Sequence, residues 1–310
     1  MMISVVIPCY RSEHTLADVV NDTIKTLSKR RTKYEIVLVN DGSPDDVWNV
    51  IKTLTKKYPG KIVGINFTKN FGQHSALLAG YKEAKGDIVI SMDDDGQTNP
   101  IHIWKLVDKL NEGYDVVYAK YPETKESLFR RMGSWLNNKM SEVMLKKPKE
   151  VKGTSFNAIR RYIIEDMIRY DKSYPYVGGL VYRATDKIAD VMIEHEDRKE
   201  GKSGYTLKKL IALTMNGFTA FSIAPLRIAS YFGIFSSMIG FIYAIVIIIK
   251  KIVDPSVQLG YSSIMATMLL IGGLIMFLLG MIGEYVGRIY MGMNNHPQYL
   301  IKEKITSEKY

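Results

Sequence analysis

The sequence predicts an α/β fold, a mostly parallel sheet with flanking helices, followed by two transmembrane helices. Short β-branched segments alternate with helical patterns from Met1 to Lys120. Polar clusters follow four of the predicted strands, always at the same end. Two long uncharged stretches lie near the C-terminus. Alternating strands and helices imply a parallel sheet covered on both faces.

The predicted strands are "ISVVIP", "YEIVLV", "KIVGINF", "GDIVISM" and "YDVVYA". Their apolar runs are nearly continuous, as in strands buried on both faces. Helical patterns run from Glu13 to Lys29, Pro44 to Lys57, Gly72 to Ala84 and Pro100 to Asn111. Pro44 and Pro100 suit first-turn positions, where a missing N–H costs nothing. An amphipathic helix is expected from Lys125 to Lys147, with Leu128, Met132, Trp135, Met140 and Met144 on one face. A second, over residues 205–226, precedes the first long apolar stretch and suits the membrane interface.

From Ile228 to Ile249 there is no charged residue, and a second uncharged stretch runs from Pro255 to Gly283. A hydrocarbon core of roughly 30 Å needs about 20 apolar residues, so each stretch suffices. A short link, "KKIVDPSVQLGYSS", makes them a hairpin spanning residues 227–290. The expected organisation is an α/β domain over 1–204, the juxtamembrane helix, the hairpin, and a tail over 291–310.

The chain has 310 residues and a net charge of +10, from 42 Lys and Arg against 32 Asp and Glu. That surplus suits anionic partners such as phosphates or anionic lipid. With Cys9 as its single cysteine, the chain forms no internal disulfide. There is no Gly-x-Gly-x-x-Gly after the first strand and no His-Glu-x-x-His, which removes the usual signatures of dinucleotide and zinc-protease sites. "GKS" at Gly201 to Ser203 lacks the first P-loop glycine, because position 196 is Glu.

The predicted strands end in "PCYRSE", "NDGSPDD", "TKNFGQHS" and "DDDGQ". In open α/β sheets ligands bind outside the carboxyl ends of strands. Three adjacent acids at such an end repel one another and call for protons or a cation. Mg²⁺ or Mn²⁺ suits them, since hard divalent ions take oxygen ligands and retain substrate phosphates. Asp93 and Asp95 are two apart and point the same way on an extended segment, while Asp94 points opposite and can serve the fold. Gln97 offers a further oxygen.

Together, "VVIPCY", "VNDGS", "NFGQHSALLAGY", "DDDGQTNP" and "GEYVGRIY" resemble the family 2 glycosyltransferases that act on polyprenyl phosphates. The resemblance covers nearly the whole chain. It implies a GT-A nucleotide-sugar-binding domain and inverting transfer from a nucleotide diphosphate sugar, UDP ahead of GDP, to an undecaprenyl-type phosphate. It further implies a multi-pass protein of the cell inner membrane with its catalytic domain in the cytoplasm. Its partners would be the donor, the lipid acceptor and the bilayer, with no nucleic acid, and the family points to a homo-oligomer.

The same resemblance implies residue roles. Pro8 and Tyr10 hold the base, Tyr10 by stacking, and Asp41 hydrogen-bonds it. Asp93, with Asp94 beside it, contacts nucleotide and sugar, while Asp95 and Gln97 hold the metal on the diphosphate. Lys69, Gln73 and His74 form the site's wall. Arg130, Arg131 and Arg183 face the diphosphate or the acceptor phosphate. Lys202, Ser203 and Tyr205 match a mobile segment that touches lipid phosphate and sugar. Two departures stand out. The first strand reads "PCYRSE" where relatives have "PxYNE", displacing Glu13 by one. Thr154 and Ser155 stand where many members carry an Asp regarded as the catalytic base. A polysaccharide-extending enzyme and a non-catalytic nucleotide-sugar binder stay open as alternatives.

Overall fold

The computed structural model describes residues 1–122, 142, 151, 153–172, 175–193, 224–253, 260–293 and 297–306. The chain divides into two compact units. One comprises Met1–Ala220 with Asn295–Tyr310, and the other is Phe221–Asn294. The second unit is thus an insertion in the chain of the first.

The first unit is built on one eight-stranded mixed sheet. Its strands are β1 (Met2–Cys9), β2 (Lys33–Asn40), β3 (Ile62–Phe67), β4 (Ile88–Ser91), β5 (Val116–Lys120), β6 (Asn157–Arg160), β7 (Ile188–Met192) and β8 (Ile301–Thr306). Their order across the sheet is β7-β5-β6-β4-β1-β2-β3-β8. All five expected strands are present, and β1 to β4 are parallel to their neighbours among themselves. The expectation of a mostly parallel sheet therefore needs adjustment at both flanks. β6 runs antiparallel to β4 and β5, and β8 runs antiparallel to β3.

The central strands owe their places to continuous burial. Ile3, Val5, Val6 and Ile7 of β1 and Ile36 to Val39 of β2 are fully buried. Burying each such side chain stabilises the fold by about 1.5–3 kcal/mol relative to exposure. The helices α1 (Leu16–Ser28), α2 (Val47–Lys57), α3 (Gln73–Glu83) and α4 (Ile103–Leu110) follow the first four strands. On α1, Leu16, Val19, Val20, Thr23 and Leu27 face the core at helical spacing. The third helix reaches the sheet closely because it carries small residues. A Cβ on Gly80 would lie 2.3 Å from Val6 Cγ1.

Pro100 opens a 3-10 turn (Pro100–His102) ahead of α4, as the sequence suggests, whereas Pro44 lies in the loop before α2. Two further helices, α5 (Arg161–Met167) and α6 (Val177–Ala184), follow β6. Both expected amphipathic helices lie outside the described residues, apart from Glu142 of the first and Ala224 to Leu226 of the second, which belong to the long helix that follows. The second unit holds two long helices, α7 (Ala224–Val253) and α8 (Tyr261–Met293). The tail expected beyond them contributes β8, which joins the catalytic sheet.

Candidate active site

Parallel strands deliver their carboxyl ends to one edge, and the polar clusters meet there. The short β4 ends at Ser91, so Asp93 lies two residues beyond it. The antiparallel β6 begins at Asn157, which pairs with Ser91. Ser155 therefore approaches the same edge from the opposite chain direction. Its hydroxyl donates to Asp93 Oδ2, while Gln73 Nε2 at the start of α3 donates to Asp93 Oδ1 at 2.9 Å. Burial pushes the Asp93 carboxyl above the usual range; the Ser155 hydrogen bond opposes that shift, and the charge of Asp95 adds to it.

The other two acids divide their work as alternation along an extended segment requires. Asp94 accepts the backbone N–H of Tyr10 at 2.9 Å, and its carbonyl accepts the Thr15 hydroxyl at 2.7 Å. It ties the loop after β1 to the loop after β4. Burial raises it to about 6. That bond agrees with the opposite direction expected for Asp94 along the extended segment. Asp95 accepts the backbone N–H of Gln97 at 3.0 Å, the geometry of an Asx turn.

Asp41 also serves the frame. It is buried, and its two oxygens accept the N–H groups of Phe71 (2.7 Å) and Gly72 (3.0 Å). Burial raises it to about 6 despite those bonds. Contact with a base, as the resemblance implies, would have to share oxygens already engaged with this loop. Gly42, at φ +58°, lets the chain pass: a Cβ there would lie 2.2 Å from the Lys69 carbonyl carbon. Only glycine suits both the dihedral and the contact.

Glu13, displaced by one in the sequence, accepts the Asp46 N–H at 2.8 Å, and its own N–H goes to Asp45 at 3.0 Å. It joins the loops after β1 and β2. Pro8 is buried within β1, and Tyr10 is 43 % exposed at the strand's end, free to stack on a planar ligand. The Arg11 guanidinium lies 5.5 Å from the Tyr10 ring centre. Lys69 is exposed, with its ammonium 5.2 Å from the Phe71 ring centre. His74 packs edge-on against Tyr176 with centroids 5.2 Å apart, and burial lowers its pKa to about 4, so it is neutral.

Thr154 differs from its neighbour. Its hydroxyl lies 2.8 Å from the Ala119 carbonyl and 3.1 Å from that of Phe156, a bond to the frame. Arg183 sits on α6, 3.7 Å from Asp166. Arg130, Arg131, Lys202, Ser203 and Tyr205 lie outside the described residues.

Residues 4–168 match the family description "Glycosyl transferase family 2", and residues 224–289 match "GtrB C-terminal hairpin". The chain belongs to glycosyl transferase family 2. Similar full-length relatives include an "uncharacterized glycosyltransferase YkcC" of Bacillus subtilis (strain 168). It is 32 % identical, with 97 % of this chain and 93 % of that protein covered. Another is the undecaprenyl-phosphate 4-deoxy-4-formamido-L-arabinose transferase of Proteus mirabilis (strain HI4320), 31 % identical over 99 % of this chain and 95 % of that one. Among solved structures, glucosyl-3-phosphoglycerate synthase from Mycobacterium tuberculosis shares the fold. In its complex with Mn²⁺, UDP-glucose and phosphoglyceric acid it has a TM-score of 0.51 and 20 % identity, covering 69 % of this chain and 76 % of that one. The sheet and helices are thus those of a GT-A domain.

For a family 2 glycosyltransferase the donor set at this edge suits one divalent ion shared with a ligand. Among the described residues no three His, Cys, Asp or Glu side chains gather into a cage. Mg²⁺-type ions are commonly bound by one or two carboxylates plus substrate phosphates, and Asp95 with Gln97 can supply such a half-site. A pocket beside Asp95 is also lined by His14, Asp18, Asp22 and Asn99. Asp18 and Asp22 would repel a diphosphate that no cation screens, so the nucleotide is not assigned to this pocket.

Two neighbours of this family 2 site escape the sequence reading. Tyr121 directly follows β5, and the Asp93 and Asp95 charges raise its pKa further after burial does. The strand-end rule that finds the other clusters also finds Tyr121, once β5 is seen to run parallel to β4. Tyr176 has no such signal; it reaches His74 from the residue before α6.

Proposed function

We propose that the protein transfers a sugar from a nucleotide diphosphate sugar, UDP-linked, to an undecaprenyl-type polyprenyl phosphate at the cytoplasmic face of the membrane. The observation that carries this reading is the carboxylate pair at the sheet edge, with Asp93 gripped by Ser155 and Gln73 and Asp95 beside it. Relatives matched over nearly the full chain and described as undecaprenyl-phosphate sugar transferases support the acceptor class.

Asp95 and Gln97 would hold Mg²⁺ or Mn²⁺. Such an ion, when bound, supplies Lewis-acid and electrostatic stabilisation of the departing diphosphate. Asp93, fixed at both oxygens, orients the donor. Tyr10 offers its ring to the base. In the transfer, an acceptor phosphate oxygen bonds to the anomeric carbon from the face opposite the leaving group. The bond to the nucleoside diphosphate breaks, and its electron pair leaves with that group. A lipid phosphate monoester has its second ionisation near pH 6, so it arrives largely dianionic. It needs positioning more than deprotonation, which accounts for Thr154 and Ser155 standing where many family members carry an Asp.

Membrane insertion belongs to this proposal. Among the described residues alone, no helix is long and apolar enough to cross a membrane. The sequence of the unit that holds α7 and α8 is uncharged from Ile228 to Ile249 and from Pro255 to Gly283. Phe235, Phe241, Ile252, Met268, Met276 and Phe277 are all more than half exposed on these helices. Such surfaces are costly in water and at home in lipid.

The test is transfer from labelled UDP- and GDP-sugars to undecaprenyl phosphate, with and without chelator. Asp95→Ala should abolish transfer and metal-dependent nucleotide binding while leaving the protein folded. Full activity in chelator, or in Asp95→Ala, would refute the metal role. Absence of lipid-linked product with every nucleotide sugar would refute the function.

A further inference from the structure

The geometry points to β8 as a positioning element of the active site, through which the end of the chain holds the loop between β3 and α3. The inference rests on the reading of Asp93 as a donor-binding carboxylate. β8 extends β3 from Val63↔Thr306 to Phe67↔Ile301, with a register shift between Asn66 and Phe67. Such irregularities bend a strand and re-aim the side chains beyond them. Pairing then continues past the strand, because the Thr68 N–H donates to the Leu300 carbonyl at 3.0 Å.

From there the contacts lead to the carboxylates. The Tyr299 ring stacks on Phe67 at 4.9 Å and 11°, and Phe67 meets Phe71 edge-on at 5.7 Å. The N–H groups of Phe71 and Gly72 bind Asp41, and the next residue, Gln73, donates to Asp93. A second line starts at Glu303, which accepts the Trp48 indole N–H at 3.0 Å and pairs with Lys52 at 3.4 Å. Both belong to α2, directly after the loop that binds Glu13. At the register shift, Asn66 accepts from Asn40 at 2.8 Å, and Asn40 in turn accepts the Ser43 N–H at 3.0 Å. One short strand thus braces the loops after β2 and β3.

An edge strand meant only to shield β3 would need its backbone ladder and nothing more. The added aromatic stack and the Thr68 bond lie beyond the ladder, on the segment that leads to Gln73. The strand's role therefore reaches past stability into the orientation of Asp93.

The test uses the full-length protein with Tyr299→Ala and Tyr299→Phe, read by amide hydrogen exchange and by sugar-transfer kinetics. Tyr299→Ala should speed exchange at Phe71 and Gly72 and lower kcat/KM, each by about tenfold. Exchange at Val5 and Val6 in the central strand should stay at its wild-type rate. Tyr299→Phe, which keeps the stack, should restore both readouts. Tyr299→Leu, which removes the aromatic stack on Phe67 but keeps an apolar side chain, tests the same bracing if Tyr299→Ala does not fold. Wild-type exchange and kcat/KM in the variants would overturn the proposal. So would an equal rise in exchange at Val5, which would mark a general loss of stability. The exchange arm needs no substrate. Its expected result, together with a wild-type protein inactive on every nucleotide sugar, would overturn the functional reading alone.

Discussion

Ser155 and Thr154 are adjacent hydroxyls with separate tasks. Ser155 donates to Asp93, whereas Thr154 is bound to backbone carbonyls. Ser155→Ala should therefore slow transfer by about tenfold, the equivalent of about 1.4 kcal/mol, with little change in thermal stability. Thr154→Ala should act the other way, costing about 1 kcal/mol of stability with a smaller effect on rate. Steady-state kinetics and denaturant melts on the two variants separate the roles. Asp41 gives a pH prediction. Its carboxyl ordinarily titrates at 3.8 and burial raises it to about 6, so the fold favours the protonated form. The stability it contributes is full below about pH 4 and is lost as pH rises through about 6. Asp41→Asn cannot ionise, so its stability should vary less between pH 4 and 7 than that of the wild type. It should still be less stable overall, by about 1–3 kcal/mol, because an amide NH₂ would face the N–H of Phe71 or Gly72. Urea midpoints across that pH range check both statements.

At the scale of the element, α3 is placed by what it lacks. Ser75, Ala76, Ala79 and Gly80 are small and buried, so the helix lies close to β1 and β2 and aims its first residue, Gln73, at Asp93. Gly80→Val would drive methyl groups into Val6, and overpacking of this kind costs about 1–3 kcal/mol. Thermal melts should show that loss, and nucleotide affinity should fall with it as Gln73 moves off Asp93. A melting temperature and affinity equal to wild type would mean that the helix has room to shift. The same close packing occurs at the sheet edge. A Cβ on Gly64 would lie 2.7 Å from Ile51 and 2.8 Å from Ile305, so β8 fits against β3 only where a side chain is missing.

For the whole molecule, the hairpin is inserted in the chain of the catalytic unit, which resumes at Asn295. If α7 and α8 cross the membrane, both parts of that unit lie on the same side, and the link around Ser256 lies on the other. Cys9 is the single cysteine and is buried, so the wild type gives a clean background for thiol labelling. Ser256→Cys should react with a membrane-impermeant maleimide on intact cells. Reaction only after lysis would place the link in the cytoplasm and refute the topology.

Local pattern along the chain encodes the early strands and the polar edge they build. Continuous β-branched runs specify the five early strands because burial on both faces needs no distant partner to be recognised. The strand-end rule then places Tyr10, Asp41, Gln73 and the three acids at one edge, and alternation along the chain separates Asp94 from Asp93 and Asp95. The tertiary structure decided what depends on pairing between distant segments. Neither "NAIR" nor "IKEKIT" carries enough local apolar signal to be read as a strand. Each becomes one because a neighbouring strand offers unpaired N–H and C=O groups to it. That antiparallel pairing of β6 brings Ser155 to Asp93 across 62 residues of chain, and β8 returns to β3 from beyond both long helices. Asp41, to which the resemblance gives a base contact, also accepts the backbone of a loop 30 residues away, since a buried N–H left unpaired is costly.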